Sequence, residues 1–184
     1  GNTANGTKHI GGIAGYICGA SSVSSCDNTG GVWNDDYNNW DYGDSGYSFA
    51  VNAVTGGGIV GLSEGTESAR AEIKNCTVNV STKYDDAYYM RGRRGFFGGV
   101  VGYAAYTDID NCDITTPMIG SSAYYVGSIC GEMVSSTMKN CDSQTSIDCS
   151  QMIYGGGLVG LMDANSKMET STWKGTLKGK ANGN

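Results

Sequence analysis

Two stretches of this 184-residue chain gather the side chains that could bind or react. The first holds Trp33, Tyr37, Trp40, Tyr42, Tyr47 and Phe49, interleaved with Asp35, Asp36, Asn38, Asn39, Asp41 and Asp44. The second sets Tyr84, Tyr88 and Tyr89 beside Asp85, Asp86, Arg91, Arg93 and Arg94. Rings mixed with carboxylates and amides suit a carbohydrate: rings stack on sugar C–H faces while Asp, Asn and Arg hold hydroxyls. The same set suits a protein interface, where Tyr, Trp and Arg dominate the binding energy. A third reading has the long loop fold over the body and pack its rings on itself. The candidate ligand-binding residues are Trp33, Tyr37, Trp40, Tyr42, Tyr47, Tyr84, Tyr88, Tyr89, Arg91 and Arg93.

Catalysis has a narrower basis. Paired carboxylates for glycoside cleavage could come from Asp35 or Asp36 with Asp85 or Asp86. A lyase could use Arg91, Arg93 or Arg94 near a bound cation. Against both, the lone histidine is His9, and no Gly-x-Ser-x-Gly elbow or Cys/His nucleophile set is present. No catalytic residue is assigned, and a β-helical polysaccharide lyase or hydrolase fragment is the alternative. Asp35, Asp36, Asn39, Asp41 and Asp44 offer calcium its hard oxygen donors, but their spacing is not that of an EF-hand loop. They read as a solvated acidic loop. The seven cysteines include no Cys-x-x-Cys pair, so zinc is not expected either. Neither metal nor cofactor is called for.

The net charge of −6 and a pI near 4.6 argue against nucleic acid, whose phosphates need a basic stripe. They equally disfavour docking to anionic lipid. No run approaches the roughly 20 apolar residues that span a bilayer, so no membrane insertion is expected. The start at Gly1-Asn2-Thr3 reads as a mature or excised fragment of a longer protein.

Both stretches interrupt a repeat. A short phrase recurs as Gly12-Ile13-Ala14-Gly15, Gly58-Ile59-Val60-Gly61, Gly99-Val100-Val101-Gly102, Ser128-Ile129-Cys130-Gly131 and Gly157-Leu158-Val159-Gly160. The first four copies are followed by Ser25-Cys26-Asp27, Asn75-Cys76-Thr77, Asn111-Cys112-Asp113 and Asn140-Cys141-Asp142, and the fifth by Thr170-Ser171-Thr172. Thirty glycines, one proline and no sustained 3.6-residue apolar period make the composition turn-dense and β. Repetition at this scale predicts a solenoid, in which each coil needs a neighbour to bury its apolar face.

From the last glycine of each phrase to the next cysteine the spacings are 11, 15, 10 and 10 residues; from that cysteine to the next phrase glycine they are 35, 26, 19 and 19. The basic coil is therefore 29 residues, 10 plus 19. The first coil exceeds it by 16 residues in its cysteine-to-glycine arc, and the second by 7 in that arc and 5 in the other. The binding stretches lie in the shared arc, so they should project from the same side and touch.

Such a coil fits three short strands, the phrase itself being one and the region around the cysteine another. Ile13, Ile59, Val100, Ile129 and Leu158 would form an aliphatic ladder. The phrase glycines would supply either positive φ or room for close approach. Asn75, Asn111 and Asn140 could stack as an amide ladder at a turn. The four repeat-locked cysteines read as a buried column of free thiols.

The fullest phrase, Gly156-Gly157-Leu158-Val159-Gly160, with an Asn-Cys about ten residues after earlier copies, resembles the GLUG-motif repeats. These occur in bacterial cell-surface proteins, including Bacteroidetes surface proteins and repeat regions of some immunoglobulin A proteases. The resemblance runs from about Lys8 to Gly179, and Ser128 and Cys130 depart from the motif. It implies an all-β, right-handed parallel β-helix (a β-solenoid) on the outer face of a bacterium, with adhesive or spacer roles. The expectation is one β-solenoid domain over 1–184, with repeats at about 8–53, 54–94, 95–123, 124–152 and 153–179. It would be extracellular or at the cell surface. Loops 33–49 and 84–94 would meet a host or bacterial glycan or a surface protein.

Overall fold

In a computed structural model, residues 9–30, 47–52, 54–79, 89–93, 95–116, 118–120, 123–149 and 153–179 are described. They form a parallel β-helix of five coils with no α-helix among the described residues. Every coil contributes one strand to each of five parallel sheets. The first sheet stacks His9–Gly11, Thr55–Gly57, Phe96–Gly98, Tyr125–Gly127 and Tyr154–Gly156. Ala14–Cys18, Val60–Glu64, Val101–Ala105, Cys130–Val134 and Val159–Met162 make the second. In the third lie Ser22–Ser24, Ala71–Lys74, Thr107–Asp110, Thr137–Lys139 and Lys167–Glu169. The fourth is a ladder of two-residue strands: Asp27–Asn28, Thr77–Val78, Asp113–Ile114, Asp142–Ser143 and Thr172–Trp173. Tyr47–Asn52, Tyr89–Arg93, Met118–Gly120, Ile147–Cys149 and Leu177–Gly179 close the coil as the fifth.

Five strands per coil replace the expected three. The phrase is not a strand but a corner: Gly58 and Ile59 form the bend between the first two sheets, and Val60 begins the second. Each cysteine likewise sits at a break, between the third and fourth sheets. The phrase glycines serve close approach, not positive φ. A Cβ on Gly61 would lie 2.6 Å from the Ile10 amide nitrogen, and one on Gly102 the same distance from that of Gly56. A side chain there would push into the backbone of the preceding coil.

Positive φ falls elsewhere. Ser25, Asn75, Asn111, Asn140 and Thr170, each one residue before the cysteine position, adopt φ of 45–54°. Asparagine tolerates this left-handed conformation better than most residues, which accounts for three of the five being Asn. The amide ladder forms in part: Asn111 Nδ2 donates to Asn75 Oδ1 at 2.8 Å. Asn140 instead donates to Asp110 and accepts from Thr170.

The core is a set of columns along the axis. Ile59, Val100 and Ile129 are wholly buried, as are Ile73, Ile109 and Met138 and, in the fifth sheet, Met118 and Ile147. Cys76, Cys112 and Cys141 stack as a buried thiol column with Cys26 half-buried at its end. Cys18, Cys26, Cys76, Cys112, Cys130 and Cys141 are free thiols. Hydrogen-bonding neighbours Cys141 and Cys76, and then burial, push the Cys112 thiol far above its ordinary value, and burial pushes Cys130 up as well. Cys112 and Cys130 are protonated filler, whereas hydrogen bonding with Cys112 holds Cys76 and Cys141 below the ordinary thiol value.

Candidate functional site

The candidate loops spring from one connection, between the fourth and fifth sheets. In coils 3 and 4 that connection is residues 115–117 and 144–146, only 3 residues each. In coil 1 it is residues 29–46 and in coil 2 residues 79–88, or 18 and 10 residues. Both excesses therefore leave adjacent coils at the same corner.

Trp33, Tyr37, Trp40, Tyr42, Tyr84 and Tyr88 lie outside the described residues, as does Arg94. Tyr47, Tyr89, Arg91 and Arg93 belong to the fifth sheet, where the strands emerging from the two loops pair in parallel. Tyr89 is in register with Tyr47, Arg91 with Ala50 and Arg93 with Asn52. A register shift between Tyr89 and Met90, which pairs with Phe49, absorbs one extra residue where the two loops rejoin the body. The exits of the two loops are thus held side by side at the spacing of neighbouring strands.

The 5-residue excess in the other arc of coil 2 has a structural use. Thr66 and Ala69 close a tight turn through a bridge pair, and Arg70 follows it. Its guanidinium reaches across two further coils, bonding Asp108 Oδ1 at 2.9 Å and the Ser135 carbonyl at 3.0 Å. That insertion clasps the rod and leaves no binding loop.

Two features of the rod surface lay outside the sequence expectations. Phe96, Tyr125 and Tyr154 stack along the first sheet with ring centroids 4.9 and 5.5 Å apart and planes within 11°. Tyr103 meets Phe96 edge-on at 5.3 Å. The signal was readable, since these three residues recur at the 29-residue period three places before the phrase. Their faces are spent on one another, so the ladder is chiefly a brace. The second feature is a shallow groove of about 230 Å³ on the third sheet, lined by Lys74, Lys139 and Lys167 against Asp108, Asp110 and Glu169. Three cations face three anions, and Lys139 already pairs with Asp110 at 3.4 Å. Balanced charge gives the groove no field to draw an ion of either sign.

No family model, curated protein or solved structure matches the chain. The site must then be argued from its own geometry. Among the described residues, no group of three or more His, Cys, Asp or Glu is placed to hold a metal ion. No described helix is long and apolar enough to cross a membrane. What the rod offers is a stiff body and one corner from which two aromatic-rich loops emerge together.

Proposed function

We propose that the chain is a non-catalytic adhesion or spacer module of an extracellular or cell-surface protein, of the GLUG-motif kind. Its contact surface is formed by loops 33–49 and 84–94. The observation that carries this reading is the register of the two loop exits, Tyr47 beside Tyr89 on neighbouring strands. A rod that keeps this one corner to 3 residues in coils 3 to 5, but lengthens it in the two adjacent coils 1 and 2, concentrates variable chain at a single place. Those loops carry Trp33, Tyr37, Trp40 and Tyr42 from one coil and Tyr84, Tyr88, Arg91 and Arg93 from the next. Flat rings with nearby carboxylates, amides and guanidinium groups hold a glycan, with a surface protein as the second class of partner.

A glycan array tests the reading. Binding that disappears in both Trp33→Ala and Trp40→Ala, while the far-ultraviolet spectrum is retained, supports recognition by the loops. Release of unsaturated or reducing sugars from a polysaccharide would overturn the non-catalytic reading.

A further inference from the structure

The bend between the first two sheets recurs in every coil, and its outer side differs in charge from the third sheet. We propose that this bend is a docking groove for a basic partner protein, which seats a lysine or arginine side chain on Glu132. The groove lies at a different corner from the aromatic loops, and the proposal does not depend on the adhesion reading.

Alternation along the strands sets the outer side. Phe97 and Val126 are at most 1% exposed and point inward, so Phe96, Gly98, Tyr125 and Gly127 lie on the outer side of the first sheet. Ala104 and Met133 are wholly buried, so Tyr103 and Glu132 lie on the outer side of the second. The bend closes toward that side. Phe96 meets Tyr103 across it at 5.3 Å, although the two rings belong to different sheets. A Cβ on Gly98 would collide with the Val101 carbonyl oxygen, and one on Gly127 with that of Cys130. Glycine lets the sheets fold this closely, which leaves an inner angle walled by side chains.

Coil 4 breaks the apolar pattern of those walls. Tyr125 takes the place of Phe96, and Glu132 takes that of Tyr103. In its own row Glu132 stands between Tyr103 and Leu161, with Leu62 one coil further back. Its carboxylate is half-buried and makes no hydrogen bond or ion pair among the described residues. The described strands of these two sheets contain no lysine or arginine. Burial first, and then the Asp163 charge, raise the Glu132 carboxyl above its ordinary value. On the third sheet, by contrast, Arg70 holds Asp108 and Lys139 pairs with Asp110. Glu132 is a partly desolvated charge that the described residues leave without a counter-ion.

Those features select the ligand. An ammonium or guanidinium head carries donors only, and the bend offers acceptors. These are the Glu132 carboxylate and the hydroxyls of Tyr103 and Tyr125, which make no side-chain hydrogen bond among the described residues. The aliphatic stem of Lys or Arg suits walls of rings and leucine. The ring faces are stacked on one another, so recognition rests on the oxygens rather than on cation–π contact. An anion would meet Glu132 and Asp163 instead. The angle continues into the neighbouring coils, which suits an extended polypeptide better than an isolated small amine.

Fluorescence anisotropy of labelled hexalysine, titrated with the full chain in about 0.15 M salt, tests this. Saturable binding is expected. Glu132→Gln removes the charge and keeps the shape, and should weaken binding about tenfold. Tyr103→Phe removes only a hydroxyl and should weaken it by a smaller factor. Glu67→Gln changes the net charge equally, in the turn closed by Thr66 and Ala69, and should leave affinity unchanged. Amide shifts of the unmodified chain on adding hexalysine should centre on Tyr103, Tyr125 and Glu132, which decides the matter if a variant misfolds. Equal losses in the two Gln variants would mean attraction to net charge alone and would overturn the proposal. Absence of hexalysine binding, or binding indifferent to Glu132, overturns it too. A chitosan oligomer that needs Glu132 where hexalysine fails to bind overturns it in favour of an amino sugar.

Discussion

Coils 3 and 4 and the two end coils use the same columns in the same register, yet their surroundings differ. Ile109 sits between Ile73 and Met138, while Met168 has a neighbour on one side only among the described residues. Both are apolar side chains at the same position of a strand. The difference teaches that a coil here has no core of its own. Its apolar face becomes a core when another coil covers it, which is the physical meaning of a repeat too small to fold alone.

The largest effect expected from that contrast is on packing. Ile109→Ala should cost about 2–5 kcal/mol of stability, as deletion of a buried side chain does. Met168→Ala in dilute protein should cost less than about 1 kcal/mol, as at an open surface. Urea midpoints of the two variants check this, and equal losses would break the comparison. Next comes the glycine contrast. Gly102→Ala drives a methyl group toward the Gly56 amide and should cost about 1–3 kcal/mol. Gly179→Ala meets nothing within 4 Å and should leave the thermal midpoint unchanged.

A smaller effect belongs to the left-handed corner. Asn111→Ala forces a Cβ without a hydrogen-bonding group into φ 53° and should cost about 1–2 kcal/mol. Asn111→Gly recovers most of that. At the end coil the sign reverses: Thr170 holds φ 45° with a branched side chain, so Thr170→Gly should raise the midpoint slightly.

The smallest effect is electrostatic. Burial alone would raise the Asp108 carboxyl, but the hydrogen bonds from Arg70 and Thr137 hold it below its ordinary value. A depressed carboxylate adds stability above its unfolded value of about 3.9, and this is lost as pH falls through the folded value. The thermal midpoint should therefore drop below about pH 4, and Asp108→Asn should flatten that limb.

The coil count and the parallel stacking were legible because five copies of one phrase, the last three at a 29-residue period, admit few other arrangements. The strand count was not. The bend between the second and third sheets is made by Tyr106 in coil 3 and Ser135 in coil 4, at φ 45° and 48°, and neither residue type announces a left-handed corner. The phrase was misplaced because an aliphatic pair between glycines reads equally as a strand or as a corner where two backbones nearly touch. The Arg70 clasp was visible only as a count of 5 extra residues. Of the candidate site, the common origin of the two loops was legible from spacing, and it reappears as the register of Tyr47 with Tyr89. The ring ladder was equally regular but passed unnoticed beside the denser aromatics of the insertions.

The central claim is that each coil is completed by its neighbour. Amide hydrogen exchange in dilute protein, read residue by residue, tests it most directly. The amides of Ile59, Val100 and Ile129 each donate to the following coil and should be strongly protected. The Leu158 amide, at the same position without a following coil among the described residues, should exchange orders of magnitude faster. Equal protection at all four positions, or rapid exchange at all four, would contradict the account.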